Sequence, residues 1–436
     1  MICLGIKIVS KIPGKKSKVY LDKIKKLNIG WNEPYPFVQS REGSGCYFDD
    51  IDGNRYLDFG SQICTNPLGY NHPDISEVLK DLGSFSPVKL AGQDFTVPEH
   101  VDMLEELTKI TPGELDAAIL VNSGAEAVEN CIKIALRSRS SAKYGISFES
   151  AFHGRTLGAL SMTNSKSVHK KNMLEIPAKR LPFDASSHEK LVRMINQEGG
   201  AEKIGFVIIE AIQGEGGYRV ADSRMMRELR KKTKQYGVPL ICDEVQAGLG
   251  RTGKWWAYEN FGIVPDLMSS AKALQIGAAI ANRKRFNVEP GALSSTWGGG
   301  SIIDLAIGLQ TIRTIKKRKL LSNVKRMGAL LKKGLVEMEK EHRIMDNVRG
   351  IGLMLAFDLA DRKTRNSIVL EMLKRGVVVL GTGEKGIRVI PSYIVGTDEI
   401  HEFLEVLDSA LHMQEKRKVK HRGNICKYLN CGEVHA

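Results

Sequence analysis

Four short apolar runs, spaced by amphipathic stretches, constrain the fold of this chain more than any other feature. Residues 117–121 form the first run and are followed by an amphipathic stretch over 125–139. Residues 206–209 form the second and precede a polar helical stretch over 223–236. Residues 240–242 form the third, and 263–269 lead into a fourth. Runs this short and apolar read as buried strands, and strands alternating with helices argue for an α/β fold built on a mostly parallel, doubly wound sheet.

Beyond Gly300 the texture changes. Residues 301–341 are rich in Leu, Lys and Ile at helical spacing, followed by strand-like 352–357, a helix over 367–375, strands at 377–380 and 387–390, and a closing helix over 398–414. Near the other end, residues 46–57 read as a hairpin turning at Asp52-Gly53. A chain of 436 residues exceeds one ordinary core. The expected division is a segment 1–58 contributing to a small domain, a large domain 59–300, a C-terminal α+β part 301–413 and a basic tail 414–436.

Composition narrows the class. No apolar run approaches the roughly 20 residues that span a bilayer, and the apolar start is cut short by Lys7. A cytoplasmic protein is expected. Seven scattered cysteines, an odd number, fit reduced thiols better than a disulfide framework. The net charge of +14 gathers in part at the two ends. No nucleic-acid reader motif accompanies it, so a solvated basic surface is the reading taken. The tail cysteines Cys426 and Cys431 have poor zinc spacing, and no metal is expected.

Three strand ends carry the chemistry. In Leu240-Ile241-Cys242-Asp243-Glu244-Val245-Gln246 an acid pair closes an apolar strand, where open α/β sheets bind ligands. By itself such an acid is more often a helix cap. In Asp266-Leu267-Met268-Ser269-Ser270-Ala271-Lys272 a lysine closes another strand; a buried amine is a nucleophile able to form a Schiff base. In Asn122-Ser123-Gly124-Ala125-Glu126-Ala127 a strand gives way to a helix whose start suits a phosphate.

Taken together, the chain from about Trp31 to Leu411 resembles the class III, fold-type I pyridoxal-phosphate aminotransferases, the group with the 4-aminobutyrate, ornithine and acetylornithine enzymes. The strongest stretch is Cys242-Asp243-Glu244-Val245-Gln246-Ala247-Gly248-Leu249-Gly250-Arg251-Thr252-Gly253, followed by Pro265-Asp266 and Lys272. The resemblance implies a seven-stranded, mainly parallel sheet, with a smaller domain made from both chain ends. It implies that Lys272 holds pyridoxal 5'-phosphate as a Schiff base and moves the proton, and that Asp243 pairs with the ring nitrogen. Gln246 would bond the ring hydroxyl oxygen, and Ser123, Gly124 and Ala125 would hold the phosphate. In the block Phe152-His153-Gly154-Arg155-Thr156, Phe152 would lie against the ring, with His153 beside it. Thr296, in Ser295-Thr296-Trp297-Gly298-Gly299, would reach the phosphate of a second subunit, making the active form a homodimer.

The same resemblance implies a substrate set. Arg155 would hold a distal carboxylate, while Glu215, in Gln213-Gly214-Glu215-Gly216, would pair with Arg388 until 2-oxoglutarate displaces it. Ile63 stands where ornithine enzymes carry a tyrosine, which leans toward 4-aminobutyrate or another ω-amine. Three departures stand out: Ala211 in place of a proline, Tyr70 where His is common, and an atypical loop from Gln62 to Pro67. The expected reaction is transfer of an amino group from an ω-amine to 2-oxoglutarate. An amino-acid racemase on the same scaffold is the alternative.

Overall fold

The computed structural model describes residues 5–30, 35–84, 93–197, 199–293, 299 and 301–416. These form two compact units, one from both chain ends (to Pro73 and from Asn323) and one spanning Asp74–Ser322. The divides therefore fall at 73/74 and 322/323, where the sequence reading put them at 58/59 and 300/301. The first moves because the segment after residue 58 is tied to its own unit. Ile390 N donates to Phe59 O at 2.8 Å, Tyr393 N to Pro67 O at 2.7 Å, and Phe59 stacks on Phe403 with centroids 4.2 Å apart. The second moves because the helix Ile302–Lys317 packs on the helix Pro98–Lys109 and on the turn Lys272–Leu274 of the larger unit.

In the unit made from both ends, β1 (Gln39–Ser44), β2 (Tyr47–Asp50) and β3 (Arg55–Asp58) form an antiparallel ribbon. The hairpin turns where the sequence places it. Gly53 takes φ +89°, and Asp50 Oδ1 accepts the N–H groups of Asp52 and Asn54, each at 2.9 Å.

The larger unit holds the central sheet. Its strands are β4 (Ala117–Val121), β5 (Tyr144–Phe148), β6 (Ala178–Leu181), β7 (Ile204–Ile209), β8 (Leu240–Asp243), β9 (Leu267–Ser270) and β10 (Gly277–Ala281). They lie in the order β4-β10-β9-β8-β7-β5-β6, and only β10 runs against the rest. Strands β5, β7, β8, β9 and β10 are buried at every residue, as expected where helices cover both faces. The helix Gly124–Arg137 shows why: Ala127, Val128, Cys131, Ile132, Ile134 and Ala135 form its buried stripe. The sequence reading passed over β5, β6 and β10. The first two lie outside the four apolar runs, and Gly277-Ala278-Ala279 in β10 is too small-chained to stand out.

Strands β11 (Met345–Ile351), β12 (Met354–Leu359), β13 (Val377–Val378), β14 (Leu380–Thr382) and β15 (Gly386–Val389) return to the first unit. There β13 joins β3 in parallel, and β11, β12, β15 and β14 make an antiparallel sheet in that order. The stretch 301–341 is two helices, Ile302–Lys317 and Leu320–Glu341, broken at Lys319, whose φ is +51°. The apolar spacing runs straight through that break, which hides it from a periodicity reading. Among the described residues no helix is long and apolar enough to cross a membrane.

Candidate active site

Parallel strands bring their carboxyl ends to one edge, so three motifs far apart in sequence meet there. Strand β8 ends in Asp243, β9 ends two residues before Lys272, and β4 ends two residues before Ser123. Strand β4 points the same way as β8 and β9 because two antiparallel steps, through β10, separate it from β9.

Close backbone approaches fix the spacing. A methyl group on Gly124 would sit 2.7 Å from Val245 Cγ1 and 3.4 Å from Ala271 Cβ, so the helix start lies directly against the segments after β8 and β9. Gly154, at φ +133°, brings the 152–155 block against the same helix start; its methyl would meet Ala125 Cβ at 2.8 Å. Gly214 lies against the Gln246 carboxamide. Residues 123–125, 152–155, 243–246 and 271–272 are thereby gathered into one site, with Gly214 joined to it through Gln246.

The helix start has the chemistry to receive an anion. Ser123 caps it, its Oγ accepting from Glu126 N at 3.2 Å. The N–H groups of Gly124 and Ala125, at the first two helical positions, have no acceptor within the helix. Lys272 has φ +51°, a left-handed conformation that side chains seldom adopt and that concentrates at functional positions.

Asp243 is the electrostatic centre. It is 5% exposed; Oδ2 lies 2.7 Å from His153 Nδ1, while Oδ1 accepts from Ser269 Oγ at 3.0 Å and Val245 N at 3.1 Å. Ser269 carries no motif signal, and its bond to Asp243 emerges only in three dimensions. Glu210 was likewise missed as a contributor. Its Oε1 accepts from Phe152 N at 2.9 Å and Oε2 from Gly214 N at 2.8 Å, which joins the block at 152–155 to the block at 213–216. Burial pushes the Glu210 carboxyl up to about 7, with His153 lowering it and Asp243 raising it.

Among the described residues, His153 Nε2, Gln246 Oε1 and Ser270 Oγ are buried at this edge without a hydrogen-bond partner. An unpaired buried polar atom costs about 1–3 kcal/mol, and a polar ring such as pyridoxal phosphate would give such atoms partners. With the helix start for the phosphate and Asp243 for a cationic ring nitrogen, these residues fit that cofactor.

Glu244, the other half of the acid pair, has a structural task. Its carboxylate accepts from Ala257 N at 2.7 Å and Tyr258 N at 2.9 Å, and burial pushes it up to about 8 against those two donors. A folded value above the ordinary 4.5 means that the folded chain keeps a proton the unfolded chain has released. The resulting stability is full below about pH 4.5 and is lost as pH rises through about 8, a loss on the order of 5 kcal/mol. Urea unfolding at constant ionic strength from pH 5 to 9 should show that decline; stability that holds level or rises would refute it.

The remaining candidates divide between the units. Arg155 is exposed, its guanidinium carbon 5.4 Å from the centre of the Phe152 ring. Glu215 Oε2 lies 3.8 Å from Lys166 Nζ. Arg388, on β15, is 6% exposed and belongs with Ile63 to the unit formed by both chain ends. Ile63 sits in a run of four left-handed residues, Ser61–Cys64 (φ +45° to +67°). Such a run costs roughly 1–2 kcal/mol per residue and is held by Asp58, whose Oδ1 accepts the N–H groups of Gly60 and Ser61, each at 2.8 Å. Tyr70, the unusual residue, donates to Asp58 Oδ2 at 2.7 Å and accepts from Gln62 Nε2 at 2.8 Å. The atypical loop and the atypical Tyr70 thus belong to one hydrogen-bonded arrangement. Thr296 and most of the basic tail, from residue 417 on, lie outside the described residues.

Known proteins point the same way. The family model for Aminotransferase class-III matches residues 30–411. The acetylornithine aminotransferase of Archaeoglobus fulgidus is 34% identical over 376 residues, covering 85% of this chain and 94% of the relative. The mitochondrial 4-aminobutyrate aminotransferase of Mus musculus is 29% identical over 456 residues, covering 92% and 90%. Among solved structures, lysine aminotransferase from M. tuberculosis superposes with a TM-score of 0.84 at 26% identity, over 91% of this chain and 99% of the other.

Proposed function

The chain belongs to the class-III aminotransferases, pyridoxal-phosphate enzymes that move an amino group between an amine and a 2-oxo acid, and from that premise we propose that its donor is an ω-amine and its acceptor 2-oxoglutarate. The donor class is a primary amine at one end of a short chain with a carboxylate at the other, as in 4-aminobutyrate; N-acetylornithine shares that chemistry. The observation that carries this reading is Arg155. Its guanidinium is exposed over the Phe152 ring, on the block that Gly154 and Glu210 hold to the cofactor edge. A guanidinium there binds a distal carboxylate in two parallel hydrogen bonds. The same clamp serves the donor and 2-oxoglutarate. Arg388 would take the α-carboxylate of the oxo acid, and apolar Ile63 offers no hydroxyl to a donor's α-amino group.

The roles of the chain's own groups follow from the site. When bound, pyridoxal phosphate supplies an electron sink that weakens the C–H bond at the amine-bearing carbon. Lys272 would hold the cofactor, then take the proton from that carbon and return it elsewhere. Asp243 would stabilise positive charge on the ring nitrogen, while His153 and Ser269 keep its carboxylate oriented. Ser123, Gly124 and Ala125 would anchor the phosphate, Gln246 would meet the ring oxygen and Phe152 would flank the ring. Thr296 would reach the phosphate site of the partner subunit in a homodimer.

Turnover of 4-aminobutyrate, N-acetylornithine, lysine and ornithine, each with 2-oxoglutarate, tests the substrate class. At least one should react at its terminal amine, and Arg155→Ala should raise KM for 2-oxoglutarate about 100-fold, the loss of a charged hydrogen-bonded clamp. Reaction of α-amines alone, or an unchanged KM, would sink the reading. Deuterium gain at Cα with lost chirality and no amino transfer would establish a racemase instead.

A further inference from the structure

In the unit formed by both chain ends, His342 follows the helix Leu320–Glu341, its N–H donating to Met338 O at 2.9 Å. Its side chain is 1% exposed and lies between two acids: Nδ1 is 3.1 Å from Glu415 Oε2, and Nε2 is 2.8 Å from Asp408 Oδ1. A neutral imidazole has one N–H and one lone pair, so it can satisfy only one carboxylate. The other contact sets lone pair against lone pair unless a second proton or a cation lies there.

His412 favours a cation. It stands one turn after Asp408 on the helix Thr397–Lys416, and its Nδ1 is 3.2 Å from the same Asp408 Oδ1. The two imidazole rings meet edge to face with centroids 4.6 Å apart. Donor atoms of His342, Asp408 and His412 all fall within 4.8 Å of one another. Tetrahedral bonds of about 2.0–2.2 Å place neighbouring donors roughly 3.3–3.6 Å apart, so small side-chain adjustments suffice. An i, i+4 pair on one helix face is already arranged to chelate. Glu415 on the far nitrogen supplies the outer carboxylate that fixes the tautomer of a metal-bound histidine. Two imidazoles and a carboxylate suit zinc, where magnesium and calcium prefer oxygen alone.

We propose that His342 Nε2, Asp408 Oδ1 and His412 Nδ1 bind a divalent cation of the zinc class, with water completing the shell and Glu415 orienting His342. The bound ion joins the end of Leu320–Glu341 to the closing helix, and its task is structural.

The test loads purified holoenzyme with zinc chloride, removes loosely held metal by buffer exchange, and reads metal content and melting temperature. Wild type should retain about one zinc per chain and melt higher, with the shift reversed by a chelator. His412→Ala, at a half-exposed position, and Asp408→Asn should lose both the zinc and the shift. Glu415→Gln should weaken zinc binding about tenfold, and all three variants should keep wild-type transaminase turnover. Cobalt in place of zinc should give nitrogen–oxygen ligand-field bands without the thiolate charge-transfer band of cysteine ligation. No retained zinc, equal retention by His412→Ala and Asp408→Asn, or a thiolate band would each overturn the proposal.

Discussion

Lys272→Ala is expected to remove the visible absorption of lysine-bound pyridoxal phosphate and to lower turnover by more than about 10⁴-fold, beyond the range of a single lost acid–base group. The size follows from a double loss. The same amine would fasten the cofactor and move the proton, and no second lysine among the described residues closes a strand of the central sheet. Relief of the left-handed backbone at position 272 gives nothing back, because alanine in that conformation is strained too. Absorbance and amino-transfer assays on the purified variant check the outcome. Turnover within tenfold of wild type would remove Lys272 from the mechanism and with it the cofactor assignment of this edge.

Asp243→Asn carries the second largest effect, a fall in kcat of roughly 10²–10³-fold with the fold and cofactor retained, the loss of one preorganised electrostatic group. Asparagine keeps the volume, and its carbonyl can still accept from Ser269 Oγ and Val245 N. What disappears is a full negative charge, 5% exposed, in a setting where screening by water is weak. His153→Ala should cost less, since His153 acts on the reaction by orienting Asp243 at 2.7 Å. Steady-state kinetics of both variants separate the two roles. A kcat for Asp243→Asn within threefold of wild type, or a larger loss for His153→Ala, would contradict the assignment of charge to Asp243 and orientation to His153.

Much of this was legible in the residues themselves. The apolar runs 206–209 and 240–242 can be read locally, because a strand buried on both faces must be apolar at every position, and both lie within observed strands. The stretch from Cys242 to Gly253 and Lys272 identified the family for a similar reason: chemistry at strand ends needs particular side chains at fixed spacing. Local pattern was silent where the partners are distant in sequence. Glu210 reaches Phe152, 58 residues away, and His153 reaches Asp243, 90 residues away; no periodicity records such pairs. The divide after Ser322 depended on which surface the helix Ile302–Lys317 covers, a matter of packing and not of its own sequence. The left-handed run Ser61–Cys64 opposes local preference outright and stands with bonds from Asp58, a cost that only tertiary contacts can offset. The sequence by itself determined the apolar strands β4, β7, β8 and β9 and the family, since these rest on short-range pattern. The tertiary structure alone decided how Asp243 is held, where the units part and how His342 comes to lie between two carboxylates, since each depends on groups brought together by folding.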